Sequence, residues 1–283
     1  MSDEHIERWI EVASAAVRAH WEADEGASED LGDREQARWD AVERLRRLSD
    51  AELETHVLPL SEDGRIERRV LVPDVLRFVR PNDQDCAERR ARRATTLLAL
   101  ARRETDPDVL CAYVAGFIDL EDARCLDFVI AHAVHLDPAV RQTVAGVLAS
   151  HPECSRALVT LLALSVDPED EVRNWAAFGL AQSRLDAAHP SAEAVREALH
   201  ARIEDPHEEC RGEAWIGLAI ARDPRVVPLI HDALAGRRQC WLALEAIEEW
   251  PRREYLNGLT RPVDRWSEAS LARVRTACEH ADE

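Results

Sequence analysis

Apolar residues recur at helical spacing from the start of this chain. Over residues 4–23 they form a single stripe, which predicts an amphipathic helix. A second amphipathic helix is predicted over residues 34–48, and the acidic, glycine-containing stretch 24–33 between the two is predicted to be an exposed loop. The chain is therefore expected to begin with a helical region.

Residues 61–83 follow a less regular pattern. Asp63-Gly64 indicates a turn, and residues 70–73 fit either a short strand or the lead into a helix at 74–79. Both alternatives stay open at this point.

Helical spacing returns over residues 85–103. The first half of this predicted helix carries the one positive cluster of the chain, formed by Arg89, Arg90, Arg92 and Arg93. Such a cluster fits a patch for phosphate or for an acidic partner, but nearby Glu residues favour an ordinary solvated helix face.

An internal repeat follows. Three short runs, at residues 137–141, 167–173 and 205–211, share an Asp-Pro pair and end in Arg. Each run leads into an alanine-rich helical stretch with Leu seven residues beyond the Arg, and then into a second apolar helix. Two helices per unit and units about 30 residues apart predict a stack of antiparallel helical hairpins.

The Asp-Pro pair has a local structural explanation. An Asp side chain accepts hydrogen bonds from the N–H groups at a helix start. The N–H of the first helical position has no partner within the helix, so Pro, which has no N–H, fits there without loss. Glu208, three residues after Asp205, is expected to complete a start of the capping-box type. The pair therefore predicts helix starts and not a catalytic site.

The repeats resemble the HEAT-repeat family, in particular the short bacterial HEAT-like repeats of the phycobilin-lyase type. The resemblance rests on Asp-Pro with Val and Arg at the head, Ala in the middle and Gly-Leu near the end, best seen at 172–180 and 210–218. It covers residues 106–250. It implies an all-α fold, a right-handed α-solenoid of HEAT-like helical hairpins with an N-terminal helical extension.

Three regions are expected on this basis. Residues 1–84 form an N-terminal helical region that caps the solenoid, 85–250 the HEAT-like repeat solenoid, and 251–283 a C-terminal helical cap. About eight extra residues widen one loop, at 183–191, and we expect that loop to reach toward a partner.

The resemblance also implies a structural ladder between repeats, with the Arg-bearing helices on the concave side. The ladder residues are Asp137, Arg141, Asp167, Arg173, Asp205 and Arg211. Two departures mark atypical units: Leu110 stands at the Arg position of the first unit, and Arg237 lacks an Asp-Pro pair.

The position two residues after each repeat Arg differs among otherwise similar repeats, so packing does not dictate it. With neighbouring positions it predicts an acidic, aromatic partner-binding strip on the concave face: Thr143, Asn174, Trp175, Phe178, Gln182, Glu213, Trp215, Gln239, Trp241 and Glu245. Trp and acidic side chains suit an Arg- or Lys-rich partner. Trp215 and Trp241 fit equally well as fillers of gaps between repeats.

Charge narrows the class of partner. The chain has 36 basic residues, all of them Arg, against 55 acidic residues, for a net charge of −19. Repulsion from phosphates disfavours nucleic acid and anionic membranes, so a basic protein partner is expected. Seven cysteines without a CxxC pair indicate reduced thiols, and no signal peptide or long apolar run is apparent. We expect a cytoplasmic protein.

Catalytic motifs are absent from the sequence. It lacks GxSxG, HExxH, GxxxxGKS and GxGxxG. His132 and His135 lie three apart and would supply half of a metal site, but without a matching cluster a packed or exposed pair is favoured. No catalytic residue, metal or cofactor is predicted.

The leading hypothesis is a non-enzymatic solenoid that binds a basic protein, as an adaptor or as a toxin-neutralising immunity protein. The alternative is a HEAT-like enzyme, either an alkylpurine DNA glycosylase or a bilin lyase. In the glycosylase alternative, Trp175 would take the place of the Trp that these enzymes have in their cleft. The missing basic groove counts against the first, and no bilin site is identifiable for the second.

Overall fold

The computed structural model describes residues 2–21, 28–78, 86–120, 122–235, 242–255 and 267–281. Within these ranges the regular structure is helical, as the sequence predicts, and the chain divides into two compact units, Met1–His132 and Ala133–Glu283. Because the predicted boundaries at 84 and 250 rest on sequence pattern, they stay predictions. No helix in the described ranges is long and apolar enough to cross a membrane.

The unit Met1–His132 consists of short and long helices joined by tight turns. Its α-helices are α1 Asp3–Trp21, α2 Ser28–Leu45, α3 Asp50–Glu52, α4 Ile66–Arg69, α5 Leu71–Leu76, α6 Cys86–Ala101, α7 Pro107–Gly116 and α8 Ala123–Ala131. A π-helical turn at Leu53–Val57 and 3₁₀ turns at Leu58–Glu62 and Phe117–Asp119 complete it.

One sequence expectation for this unit needs correction, and one open alternative is decided. Helix α2 begins at Ser28, inside the stretch predicted as a loop, because a single glycine, Gly32, costs a helix only about 1 kcal/mol. Residues 71–76 are helical and not a strand. All six residues of α5 are buried, and Pro73 is accommodated near the helix start, where a missing N–H costs little.

The unit Ala133–Glu283 contains the three repeats that begin with Asp-Pro. A 3₁₀ turn at His132–Val134 precedes α9 Pro138–Ala149, α10 Ser155–Leu164, α11 Asp170–Gln182, α12 Ala192–His200 and α13 Glu208–Ile220. A 3₁₀ turn at Pro224–Val226 leads into α14 Val227–Leu234, followed by α15 Ala243–Glu249 and α16 Glu268–Glu279.

Helices α9, α11, α13 and α15, called here the first helices, pack side by side in that order. Helices α10, α12 and α14, the second helices, lie behind them and make fewer contacts with one another. Stacked hairpins whose first helices approach most closely are an α-solenoid.

Close approach between hairpins explains the small residue six positions after the repeat Arg. A Cβ on Gly179 would lie 3.0 Å from the Cβ of Ala149, and a Cβ on Gly217 would lie 3.0 Å from the Cβ of Ala181. Both contacts are tighter than ordinary van der Waals distance, so Gly at this position allows neighbouring first helices to approach.

The helix starts follow the Asp-Pro prediction only in part. Asp137 caps α9 and accepts from the N–H of Ala139. Helix α13 instead begins at Glu208, where the Nδ1 of His207 accepts from the N–H of Cys210, so the predicted capping box at Asp205 is wrong. The Asp205 carboxylate is shared: it accepts from the N–H of His207 at 3.0 Å in the turn before α13, and it also binds the guanidinium of Arg173.

Candidate functional site

The exposed face of the first helices holds an aromatic pair. Trp175 on α11 is 39% exposed, and its indole lies over Gly146 on α9, where a Cβ would sit 3.5 Å from the Cε3 atom. Phe178, one turn further along α11, meets Trp175 edge-to-face with ring centroids 5.7 Å apart. Gly146 thus gives the indole a flat support while one side stays open to solvent.

Acidic side chains lie on the same layer of helices. The Nδ2 of Asn174 donates to Oε2 of Glu209 at 3.1 Å, which ties α11 to α13. Burial, followed by the negative charges of Glu245 and Glu209, raises the pKa of Glu213 to about 7. We call Asn174, Trp175, Phe178, Glu209, Glu213 and Glu245 the acidic-aromatic strip.

The raised pKa of Glu213 predicts a pH-dependent stability. Because the folded-state pKa lies above the ordinary value of 4.5, the stability that Glu213 contributes falls as pH rises from about 4.5 through 7. We expect Glu213→Gln to raise the free energy of unfolding at pH 8 by on the order of 2 kcal/mol and to have little effect near pH 5. Urea unfolding of both proteins at the two pH values measures this difference, with Glu193→Gln as an exposed control. An equal effect of Glu213→Gln at both pH values would contradict the argument.

The structure brings predicted ladder residues together. Arg141 donates to both carboxylate oxygens of Asp167 at 2.7 and 2.8 Å, and Arg173 to both oxygens of Asp205 at 2.8 and 2.9 Å. Each pair joins the Arg of one repeat to the Asp of the next. Burial raises the pKa of Asp205, but hydrogen bonds from Arg173 outweigh it and hold that pKa below its usual range.

Each ladder Arg also fixes the turn that precedes its own helix. Arg141 donates to the carbonyls of His135 and Leu136, and Arg173 to those of Asp167 and Pro168. Arg211 donates in the same way to the carbonyls of Asp205 and Pro206. A single guanidinium therefore satisfies turn carbonyls and an inter-repeat carboxylate at once.

The residues predicted for the partner-binding face have varied surroundings, and not all of them belong to the strip. Trp215 is fully buried and donates from Nε1 to the carbonyl of Ile203 at 3.4 Å, so it is a core residue and the contact role predicted for it is wrong. The Thr143 hydroxyl donates to the carbonyl of Ala139, Gln182 is half-buried and Glu245 is exposed. Gln239, Trp241 and Arg237, which lacks the Asp-Pro pair, lie outside the described residues.

The widened loop at 183–191 is tied to the first helices. Arg184, with φ 44°, donates to both carboxylate oxygens of Glu249 on α15 at 3.1 and 2.7 Å. Its role toward a partner stays a prediction.

A cluster with metal-ligand chemistry lies across two repeats and is not apparent in the sequence. The ligand atoms of Glu171, His207 and Glu209 lie within 4.8 Å of one another. Nδ1 of His207 accepts the helix-capping bond from Cys210, so in the neutral ring Nε2 carries the proton and faces Oε1 of Glu171 at 3.4 Å. A metal at Nε2 would require the tautomer that loses this cap, so the structure favours a capping histidine that lies beside a carboxylate.

The other histidines and the cysteines singled out by the sequence have structural surroundings. His132 stacks on Phe128 with ring centroids 4.1 Å apart, and Nδ1 of His135 accepts from the N–H of Asp137. Burial raises the pKa of the Cys125 and Cys210 thiols to about 12, so these thiols stay protonated and unreactive near neutral pH.

Comparison with known proteins identifies repeats in part of the chain. The family model for HEAT repeats matches residues 94–181, which run from α6 to α11. No curated protein matches the sequence.

Two solved structures share the fold. YibA of Escherichia coli is 17% identical, with a TM-score of 0.64 over 99% of this chain and 98% of that one. Kap121p is 13% identical, with a TM-score of 0.52 over 99% of this chain and 33% of that one. At these identities the likeness extends to the fold alone.

Proposed function

We propose that the chain is a non-enzymatic protein-binding scaffold that takes a basic partner on its acidic-aromatic strip. Residues 94–181 match the family model for HEAT repeats, and stacked hairpins offer an extended surface. The observation that carries this proposal is the placement of Trp175. Its indole is held over Gly146, stays 39% exposed and belongs to the layer of helices that bears Glu209, Glu213 and Glu245.

The register of the repeats supports one continuous surface. Trp175 lies two residues after Arg173, and Glu213 lies two residues after Arg211, so the two occupy equivalent positions on neighbouring helices. Gly146, five residues after Arg141, faces Trp175, and Phe178 stands at the equivalent position of the next repeat, five residues after Arg173. The aromatic pair on α11 therefore lies beside the helix that carries Glu209 and Glu213.

The electrostatics favour a cationic ligand group. Glu213 has two acidic neighbours, Glu209 and Glu245, and its carboxylate is costly to ionise where it lies. An incoming guanidinium or ammonium would lower that cost and would stack on an aromatic face. A cation also draws Glu213 to its charged form, so binding should release a proton near neutral pH.

We expect paired substitution of Trp175→Ala and Glu213→Gln to weaken binding of a fluorescein-labelled peptide of alternating Arg and Gly by about tenfold. The reason is that the first change removes the stacking surface and the second removes the carboxylate. Fluorescence polarisation at low salt measures the affinity, and circular dichroism checks the fold.

The matched control is Trp250→Ala with Glu193→Gln, which removes one Trp and one acid elsewhere in the same unit. It should leave the affinity within about twofold. Equal losses in the two double variants, or unchanged affinity in a folded strip variant, would overturn the proposal. A duplex DNA probe in the same titration should not bind, and tight DNA binding would favour the glycosylase alternative.

The cellular role that we propose is that of an adaptor or a toxin-neutralising immunity protein. The net charge of −19 supports it, because such a charge speeds encounter with a cationic protein.

A further inference from the structure

The positive cluster of α6 makes its contacts within its own unit. Arg92 pairs with Glu88 at 2.7 Å, and Arg89 pairs with Asp50 at 3.1 Å. Arg93 is only 8% exposed and donates to backbone carbonyls around the end of α5, so the solvated face expected for this residue is wrong. In the other unit, by contrast, the turns between repeats expose large apolar side chains.

These apolar side chains lie at the turns that precede the first helices. Val134 is 86% exposed, Leu136 is 96% exposed and Val166 is 67% exposed. Leu136 and Val166 occupy the same repeat position, directly before the Asp-Pro pair, and Glu204 stands there in the third turn. A single exposed aliphatic side chain is ordinary, but recurrence at one position of adjacent repeats makes a row. We call Val134, Leu136 and Val166 the apolar turn edge.

The turns that carry this edge have the same geometry and are tied together. In each of the three turns, the repeat Asp accepts from the N–H two residues further on, at 2.9, 3.0 and 3.0 Å in chain order. Arg141 donates to the carbonyl of Leu136 at 3.1 Å and to the carboxylate of Asp167, the residue after Val166. Because packed helices lie about 10 Å apart, we expect a similar spacing between Leu136 and Val166.

Negative charge surrounds the apolar turn edge. Residues 134–141, 164–173 and 202–211, which hold the three turns and the helix starts after them, contain nine acids and four arginines. Arg141 and Arg173 belong to the ladder, and their side chains are only 12% and 8% exposed. Glu169 and Glu171, next to the second turn, are both exposed. A ligand of this edge therefore has to combine apolar side chains with positive charge.

We propose that the apolar turn edge binds an amphipathic helix of a basic protein partner. Two apolar residues of that helix, seven positions apart, lie against Leu136 and Val166, and arginine or lysine residues flank them. Seven residues of an α-helix advance about 10 Å and complete nearly two turns, so such side chains share one face at the spacing of the two turns. A second copy of this chain is disfavoured because it would bring two acidic edges together. The proposal rests on the proposed function only for the basic character of the partner, since the edge shares no residue with the acidic-aromatic strip.

A fluorescein-labelled, alanine-rich helical peptide of about 20 residues, with two Leu seven positions apart and Arg on the flanking positions, is the probe. Fluorescence polarisation with the full chain at low salt should show saturable binding with a Kd below about 1 mM. A peptide of equal composition with the two Leu nine positions apart, and so on opposite faces, should bind at least fivefold more weakly. A peptide with Glu in place of Arg should not bind. Absence of saturable binding by the first peptide, or equal affinities for the two Leu spacings, would overturn the proposal.

Substitution of the most exposed residue tests the edge without disturbing the fold. Leu136→Gln should weaken binding of the first peptide at least fivefold, and its 96% exposure means that stability should hardly change. The matched control is Val12→Gln, which replaces an aliphatic residue that is 39% exposed on α1 and should leave the affinity within about twofold. Equal losses in the two variants would contradict the assignment.

Two further measurements separate this proposal from its neighbours. The double variant Trp175→Ala with Glu213→Gln should bind the helical peptide within about twofold of the unaltered chain, and Leu136→Gln should do the same for the Arg-Gly peptide. Failure of the strip and failure of the edge are therefore distinguishable. Sedimentation velocity should show a monomer at the concentrations of the titration. A dimer that Leu136→Gln dissociates would assign the edge to a second copy of the chain and overturn the proposal.

Discussion

Replacing Arg173 by alanine should lower the free energy of unfolding by about 3–5 kcal/mol. The guanidinium is 8% exposed and its partner carboxylate on Asp205 only 1%, so the substitution leaves a buried charge that has lost its main donor. It also removes the donor to the carbonyls of Asp167 and Pro168. Chemical denaturation followed by circular dichroism measures the loss.

A matched control separates buried from exposed ion pairs. Arg184 and Glu249 form an equally short pair at 2.7 Å, but their side chains are 52% and 31% exposed. Arg184→Ala should cost at most about 1 kcal/mol because solvent screens the pair. Combining Arg173→Ala with Asp205→Asn should cost less than the sum of the single changes, because the unpaired buried charge is then absent. A loss in Arg173→Ala no larger than in Arg184→Ala would show that the ladder does not stabilise the stack.

Replacing Trp215 by alanine should also cost about 3–5 kcal/mol. The side chain is fully buried, so the change removes a large apolar surface from the core and opens a cavity between hairpins. The carbonyl of Ile203 also loses its donor. Thermal and urea unfolding measure the effect.

Trp175→Ala is the natural comparison, since it is the same substitution one repeat earlier. Because Trp175 is 39% exposed, the cost should be about 1 kcal/mol, while affinity for the Arg-Gly peptide falls. Trp215→Ala should show the opposite pattern, with stability lost and the affinity of the remaining folded protein retained. If both variants lost stability equally, the assignment of Trp175 to an exposed binding strip would fail.

The contrast between these two Trp residues shows how far the repeat alignment reaches. Trp175 lies two residues after its repeat Arg and Trp215 lies four after, a difference of about 200° around a helix. At the position four residues after the Arg, the other repeats carry Ala145 and Ala177, both buried. The alignment therefore contained a signal that Trp215 faces the core, whereas chemical likeness grouped it with Trp175.

Glu209 belongs to the strip but was not predicted from the sequence. Its place in the strip depends on the hydrogen bond from Asn174 in the preceding repeat, 35 positions earlier in the chain. Sequence spacing relates residues within one helix and does not relate the two helices that this bond joins. The contact of Arg89 with Asp50 is similar, because it joins α6 to a helix start 39 positions earlier in the chain.

By itself the sequence determined the all-α hairpin array, the repeat positions of Arg141 and Arg173, and the acidic charge, because helical periodicity and helix starts are local properties of a chain. Only the tertiary structure decided that Asp205 binds Arg173 of the preceding repeat as well as the turn before α13, and that Trp215 is core and Trp175 exposed. These outcomes depend on the rotation and close approach of neighbouring helices, and packing between distant segments fixes both.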